Sequence, residues 1–143
     1  MCVSAKTGEG IDELMEAIVT KFPAPEGDPD GPLAALIFDC HYDVYRGVVV
    51  HVRVMNGRLK TGDLIKMMST GTEYKVEQCG IFKINYEETG ILEAGDVGYI
   101  ISGLKTVSDV KVGDTITSKD SGITEPLPGF KEVKPVVYSS IYP

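Results

Sequence analysis

Within five residues the chain places an acid, a thiol, an imidazole and a second acid: Asp39, Cys40, His41 and Asp43. A thiol beside an imidazole suits a nucleophile with its base, and the same set suits a soft metal ion. On a strand, however, adjacent residues point to opposite faces. Cys40 and His41 then share neither one ion nor one proton, and no third partner stands at a suitable spacing. Neither a metal site nor covalent catalysis is expected here. The three cysteines, Cys2, Cys40 and Cys79, are odd in number and widely spaced. They fit no disulfide framework and no zinc pattern, and a reducing compartment is the simplest inference. His51 alternates with valines, so it is expected to face outward or to pack on another element.

The remaining candidates are cations. The net charge is −7, which argues against a surface coated in nucleic-acid contacts. The charge is uneven, though. Residues 1–32 hold two lysines against seven acids, and residues 84–143 hold five lysines against nine acids. Residues 33–83 lean the other way, with Arg46, Arg53, Arg58, Lys60, Lys66, Lys75 and Lys83 against five acids. Any contact with RNA phosphates is expected in that third, through Arg and Lys side chains. An ordinary solvated strand face is the plainer reading of the same residues. Loop tips reach partners more easily than strand centres, which favours Arg58 and Lys60 first, then Arg46 and Arg53.

These side chains need elements to hold them. Ile11, Leu14, Met15, Ile18 and Val19 recur at helical period, with Asp12 and Glu13 at the start and Lys21 at the end, as the helix dipole prefers. Pro23 and Pro25 stop that helix, and residues 23–32 hold four prolines and two glycines, the composition of a semi-extended linker. Beyond it the period is two. Val48, Val50, Val52 and Val54 share one face of a half-buried strand, and Asn56-Gly57 predicts a type I′ hairpin. Further strands are expected over 33–39, 63–68, 73–79, 96–102 and 114–118. Met67-Met68 and the valine row read as core rather than a cofactor box.

One pattern occurs three times: Leu59-Lys60-Thr61-Gly62-Asp63, Leu92-Glu93-Ala94-Gly95-Asp96 and Val110-Lys111-Val112-Gly113-Asp114. Each is expected to be a tight turn that launches a strand, with the glycine free to take positive φ and the aspartate free to bind nearby N–H groups. Spacings of 33 and 18 residues are too irregular for a solenoid. Many short strands with glycine turns predict a mainly β fold, a six- or seven-stranded Greek-key antiparallel barrel over 33–119.

Ser4-Ala5-Lys6-Thr7-Gly8-Glu9-Gly10-Ile11 resembles the last guanine-recognition motif of the P-loop GTPases, and the helix after it resembles the final helix of their G domain. A G-domain end followed by a proline-rich linker and a barrel is the layout of translational GTPases. The hairpin-like stretch Gly47 to Asp63 is similar to their second domain. So are Ala94-Gly95-Asp96-Val97-Gly98-Tyr99 and Val112-Gly113-Asp114-Thr115. Ala35-Leu36-Ile37-Phe38-Asp39, Tyr45-Arg46-Gly47-Val48-Val49-Val50, Met67-Met68-Ser69-Thr70-Gly71 and Pro126-Leu127-Pro128-Gly129-Phe130-Lys131 resemble the elongation factor 4 (LepA) family.

The resemblance implies that 1–22 ends a G domain, 23–32 is a linker and 33–119 is the second-domain barrel. Residues 120–143 would then be a linker and the first strand of a third domain. It implies GTP and magnesium in the longer protein, with Ser4, Ala5 and Lys6 as the remnant of the guanine contact. It also implies a bacterial, cytoplasmic, ribosome-associated factor that touches RNA and protein of the small subunit and its own neighbouring domains, with peripheral membrane association. The sequence departs from the family pattern in one respect: it has no G-x-x-x-x-G-K-[ST] loop and no Asn-Lys-x-Asp. No cofactor and no hydrolysis are therefore expected of these residues alone. Met1 reads as an introduced start, and the strand-like run 133–142 breaks off as in a chain cut from something longer. Helix 11–21 must then pack on the barrel, pair with a second copy or fray. A barrel that binds ribosomal proteins rather than RNA is the runner-up, ahead of an enzyme built on Asp39, Cys40, His41 and Asp43.

Overall fold

The valine row lies in the second strand of this computed structural model. The structure describes residues 1–104, 106–120 and 123–128. The strand expected over 133–142 lies outside the described residues. Helix α1 (Ile11–Lys21) comes first, followed by β1 (Ala34–Asp43), β2 (Gly47–Asn56), β3 (Arg58–Lys60), β4 (Leu64–Met67) and β5 (Glu73–Lys75). Then come β6 (Gln78–Phe82), β7 (Tyr86–Glu88), β8 (Ile91–Glu93), β9 (Val97–Ile101), a 3₁₀ turn at Val107–Asp109 and β10 (Thr115–Ser118).

Eight strands form one sheet in the order β5-β4-β10-β1-β2-β9-β6-β7, while β3 and β8 pair separately. Every pairing is antiparallel. β5 at one edge is joined to β6, next to the other edge, by Val76 and Glu77 alone. From Lys75 to Gln78 the chain spans at most about 11 Å, so the sheet must curl until its ends meet. Backbone bonds carry the β4–β5 and β6–β9 ladders into this connector. Val76 N–H donates to Asp63 O at 2.9 Å, Gly62 N–H to Val76 O at 2.8 Å, and Glu77 N–H to Ile101 O at 2.8 Å. The product is the expected antiparallel barrel.

Val48, Val50, Val52 and Val54 line its interior with Ile37, Ile65, Ile100 and Ile116, all buried. Each such aliphatic side chain is worth about 1.5–3 kcal/mol in area removed from water. Leu59 and Leu92, opposite each other in the β3–β8 pair, plug the same core.

Two expectations are corrected. Among the described residues the strands number ten rather than six or seven, because β3, β7 and β8 are three residues each and too short to show a period. The expected strand 73–79 is likewise split at Val76–Glu77, the connector between β5 and β6. The second correction concerns Asn56-Gly57, which makes no type I′ hairpin. Among the described residues no non-glycine residue has positive φ, whereas Gly57 stands at 77°. β3 turns away to pair with β8 instead of β2. The Asn56 amide is committed elsewhere: its Oδ1 accepts the Asp28 N–H at 2.8 Å and its Nδ2 donates to Pro32 O at 3.0 Å.

The three Gly-Asp segments are turns as expected. Asp63, Asp96 and Asp114 each donate N–H three residues back, to Lys60, Glu93 and Lys111, at 3.2, 2.9 and 3.0 Å. Gly62, Gly95 and Gly113 stand at φ 98°, 99° and 93°, the third-position requirement of a type II turn. In the first two the aspartate also accepts the N–H three residues back, at 2.9 and 2.8 Å. The third differs. Asp114 is buried and turns inward to Ser69 and to the N–H of Thr115. Helix α1 forms with its acids and its lysine at the expected ends and buries none of its residues. No helix among the described residues is long and apolar enough to cross a membrane.

Candidate functional site

The β1–β2 turn is shaped by Asp43. Its Oδ1 accepts the N–H groups of Tyr45 and Arg46 at 2.8 and 2.9 Å. Those two bonds, before any other influence, hold the Asp43 carboxyl below the ordinary carboxylate range. Gly47, at φ 76°, returns the chain into β2. The crest is thereby pushed into solvent, leaving Val44 82% and Tyr45 96% exposed. Arg46 folds back, with its guanidinium carbon 4.4 Å above the Tyr86 ring.

Tyr86 belongs to a layer of aromatic and imidazole rings on the outside of the barrel. The outward face of β2 and β9 carries Val49, Tyr99 and Ile101, which are buried under Phe82 and Tyr86 of the β6–β7 hairpin. His51 stacks on Phe82, with centroids 4.5 Å apart and planes within 7°. His51 Nε2 lies 3.0 Å from His41 Nδ1, and His41 Nε2 lies 3.0 Å from the Tyr86 hydroxyl. Burial, then the neighbouring His41, push His51 below its ordinary value. Glycine makes the close approach feasible, because a side chain at Gly80 would collide with the Glu87 carbonyl and one at Gly98 with the Gly80 carbonyl. This layer went unread in the sequence. The usable signals were the facing glycines and the ring residues Phe82, Tyr86 and Tyr99 opposite His51.

Cys40 packs toward the interior while His41 joins the outer layer. Burial raises the Cys40 thiol, which removes it further from nucleophile chemistry. Among the described residues no three His, Cys, Asp or Glu side chains are grouped as for a metal ion.

The four cations do not form one patch. β2 has ten residues and spans about 30 Å, with Arg46 just before its start and Arg58 just past its end. Arg53 lies exposed between them on the outward face. Arg58 is already engaged, at 3.1 Å with Asp30 and 2.9 Å with Glu93. Arg58 and Lys60 line a cavity of about 320 Å³ together with Asp30 and Asp63, acids that offset them. Ser4, Ala5 and Lys6 lie in a loop closed on itself. Ser4 N–H reaches Glu9 O at 3.0 Å, Gly8 N–H reaches Ser4 O at 2.9 Å, and Thr7 N–H reaches the Ser4 hydroxyl at 3.3 Å.

Residues 47–117 match the family model described as Elongation factor Tu domain 2. Elongation factor 4 of Treponema denticola is 63% identical over 143 residues, all of this chain and 24% of that protein. The chain belongs to the elongation factor 4 family. The elongation factors 4 of Borrelia garinii subsp. bavariensis and Syntrophus aciditrophicus are 58% and 56% identical over 141 and 140 residues, covering 24% and 23% of their lengths. The chain thus spans about a quarter of the curated relatives it matches. Among solved structures, the apo form of translation elongation factor SelB from Methanococcus maripaludis superposes with a TM-score of 0.70. It is 27% identical, over 82% of this chain and 25% of that one. A bacterial selenocysteine-specific elongation factor, EF-Sec, shares the fold at TM-score 0.67 and 21% identity, over 82% of this chain and 20% of that one. The barrel of this chain therefore has the Elongation factor Tu domain 2 fold.

Proposed function

We propose that this chain is the ribosome-docking, non-catalytic barrel of a GTP-dependent elongation factor, and that its β1–β2 turn leads the contact. The observation that carries this reading is the turn itself, where Asp43 holds Tyr45 in solvent and Arg46 stands beside it, seated on Tyr86. An ordered cation beside an exposed ring suits RNA, the guanidinium meeting phosphate and the ring meeting a base. Arg46 thus leads the candidates, followed by Lys60 and Arg53. Arg58 comes last because two acids already hold it. The small ribosomal subunit is the proposed partner. In the longer protein GTP and magnesium belong to the G domain, of which 1–22 is the end. We take 23–32 as the connection, 33–119 as the barrel and 120–143 as the approach to a third domain, in a cytoplasmic protein. A second reading, contact with ribosomal proteins, is favoured by the apolar crest of Val44 and by Ile84, which is wholly exposed.

Co-sedimentation of the chain with small subunits at low and raised salt tests the proposal, beside an Arg46→Glu variant. Pelleting that falls steeply with salt and is lost in the variant supports RNA docking, at about one unit of log–log slope per neutralised phosphate. Salt-insensitive pelleting favours the protein-binding reading. Absence of pelleting at either salt removes the docking role from this chain.

A further inference from the structure

Residues 25–32 cross the barrel instead of leaving it. Pro25 lies against Gly95, where a side chain would stand 2.9 Å from the proline ring. Gly27, at φ 139°, passes so close to the Met55 carbonyl that any side chain would collide. Asp28 gives its N–H to Asn56 Oδ1, and its carbonyl takes the Gly57 N–H, both at 2.8 Å. The other end of the Asn56 amide binds Pro32 O. Gly31 sits directly against that amide, and Arg58 reaches Asp30 while holding Glu93. Pro25, Pro29 and Pro32 restrict the backbone between these points, so the bonds oppose little chain entropy.

We infer that residues 25–32 are a strap built into the barrel, with Asn56 as its clasp, so that a hinge toward whatever precedes the barrel lies at 22–24. This explains why Asn56-Gly57 departs from its expected hairpin, since the side chain and the glycine N–H both serve the strap. It rests on the docking reading only for its consequence. If the barrel sits on the ribosome, the strap fixes the direction in which the preceding domain leaves it. Asn56 is then a positioning residue.

The test is ¹⁵N relaxation and amide exchange on the whole chain. Order parameters for the non-proline residues of 25–32 near those of β2, about 0.85, support the strap, whereas values below about 0.6 overturn it. The Asp28 and Gly57 amides are expected to exchange roughly tenfold to a hundredfold faster in Asn56→Ala, as two hydrogen bonds are lost. Gly31→Ala keeps Asn56 but pushes the strap away, and it should raise the same two rates. Equal rates in the unmodified chain and both variants overturn the inference. No ribosome enters these measurements, so a failed strap and a failed docking reading are separately visible.

Discussion

The Arg46 guanidinium carbon lies over the Tyr86 ring, 4.4 Å from its centroid, so the β1–β2 turn rests on the β6–β7 hairpin across the outer wall of the barrel. Tyr86 also reaches His41 through its hydroxyl, at 3.0 Å. The two contacts are separable by mutation. Tyr86→Phe keeps the ring under Arg46 and loses the hydroxyl bond, at an expected cost of about 1 kcal/mol. In a double-mutant cycle, Arg46→Ala and Tyr86→Leu should couple by about 0.5–1 kcal/mol in urea unfolding. Strict additivity would mean that Arg46 is not held by the ring.

His51 makes stability depend on pH. His51 is held below its ordinary value of 6.5 by burial and by His41. The unfolded chain therefore binds the proton first. The stabilisation is complete above about pH 6.5 and is lost as pH falls through that value toward the lower folded one. Urea midpoints should decline from pH 7.5 to 5.5, and the decline should be shallower in His51→Phe, which keeps the stack on Phe82. Asp43 acts in a separate, more acid window. Its folded value lies below 3.8, so its contribution is present above that pH and lost below it. Parallel pH profiles for the chain and His51→Phe would assign the decline to other groups.

The three Gly-Asp turns look alike in sequence but differ in cost. Asp114 accepts the Ser69 N–H at 3.0 Å, the Ser69 hydroxyl at 2.6 Å and the Thr115 N–H at 2.7 Å. Asp114→Ala leaves two N–H groups without this acceptor, at about 1–3 kcal/mol each where they are buried. Asp63→Ala and Asp96→Ala each lose one turn bond, from Lys60 and Glu93 respectively, for about 1 kcal/mol. Thermal unfolding should rank Asp114→Ala well below the other two. Equal losses would make the burial of Asp114 irrelevant.

What the sequence discloses follows the range of the interactions. Val48, Val50, Val52 and Val54 alternate within one strand, and the Gly62, Gly95 and Gly113 turns close over three residues, so both are legible. The Greek-key barrel follows from them together with the family resemblance. Asn56 is misleading because its partners are Asp28 and Pro32, 28 and 24 residues away, and a local turn rule cannot see them. The outer layer was invisible for the same reason. His41 meets Tyr86 across 45 residues, because the β6–β7 hairpin lies over the outward face of β2 and β9. Arg58 reads in the sequence as a free loop-tip cation, but the acids that engage it come from the strap and from β8.

That last point separates Arg58 from Lys60 experimentally. Arg58 is 37% exposed and paired with two acids that are more exposed still, so each pair contributes at most about 0.5–1 kcal/mol. Charge reversal does more than remove these pairs, since Arg58→Glu places a third carboxylate beside Asp30 and Glu93. It should lower the melting temperature by several degrees, about 4–8 °C per kcal/mol for a barrel of this size. Lys60→Glu carries a smaller penalty: its new carboxylate joins Asp30 and Asp63 around the cavity, but among the described residues no ion pair is formed by the Lys60 amine and its backbone N–H bond to Asp63 survives the change. Its melting temperature should stay within about 2 °C of the unmodified chain. Differential scanning calorimetry of both variants decides the matter before any binding assay. If Lys60→Glu were the less stable of the two, the ion pairs of Arg58 would not be what ties the strap to β3.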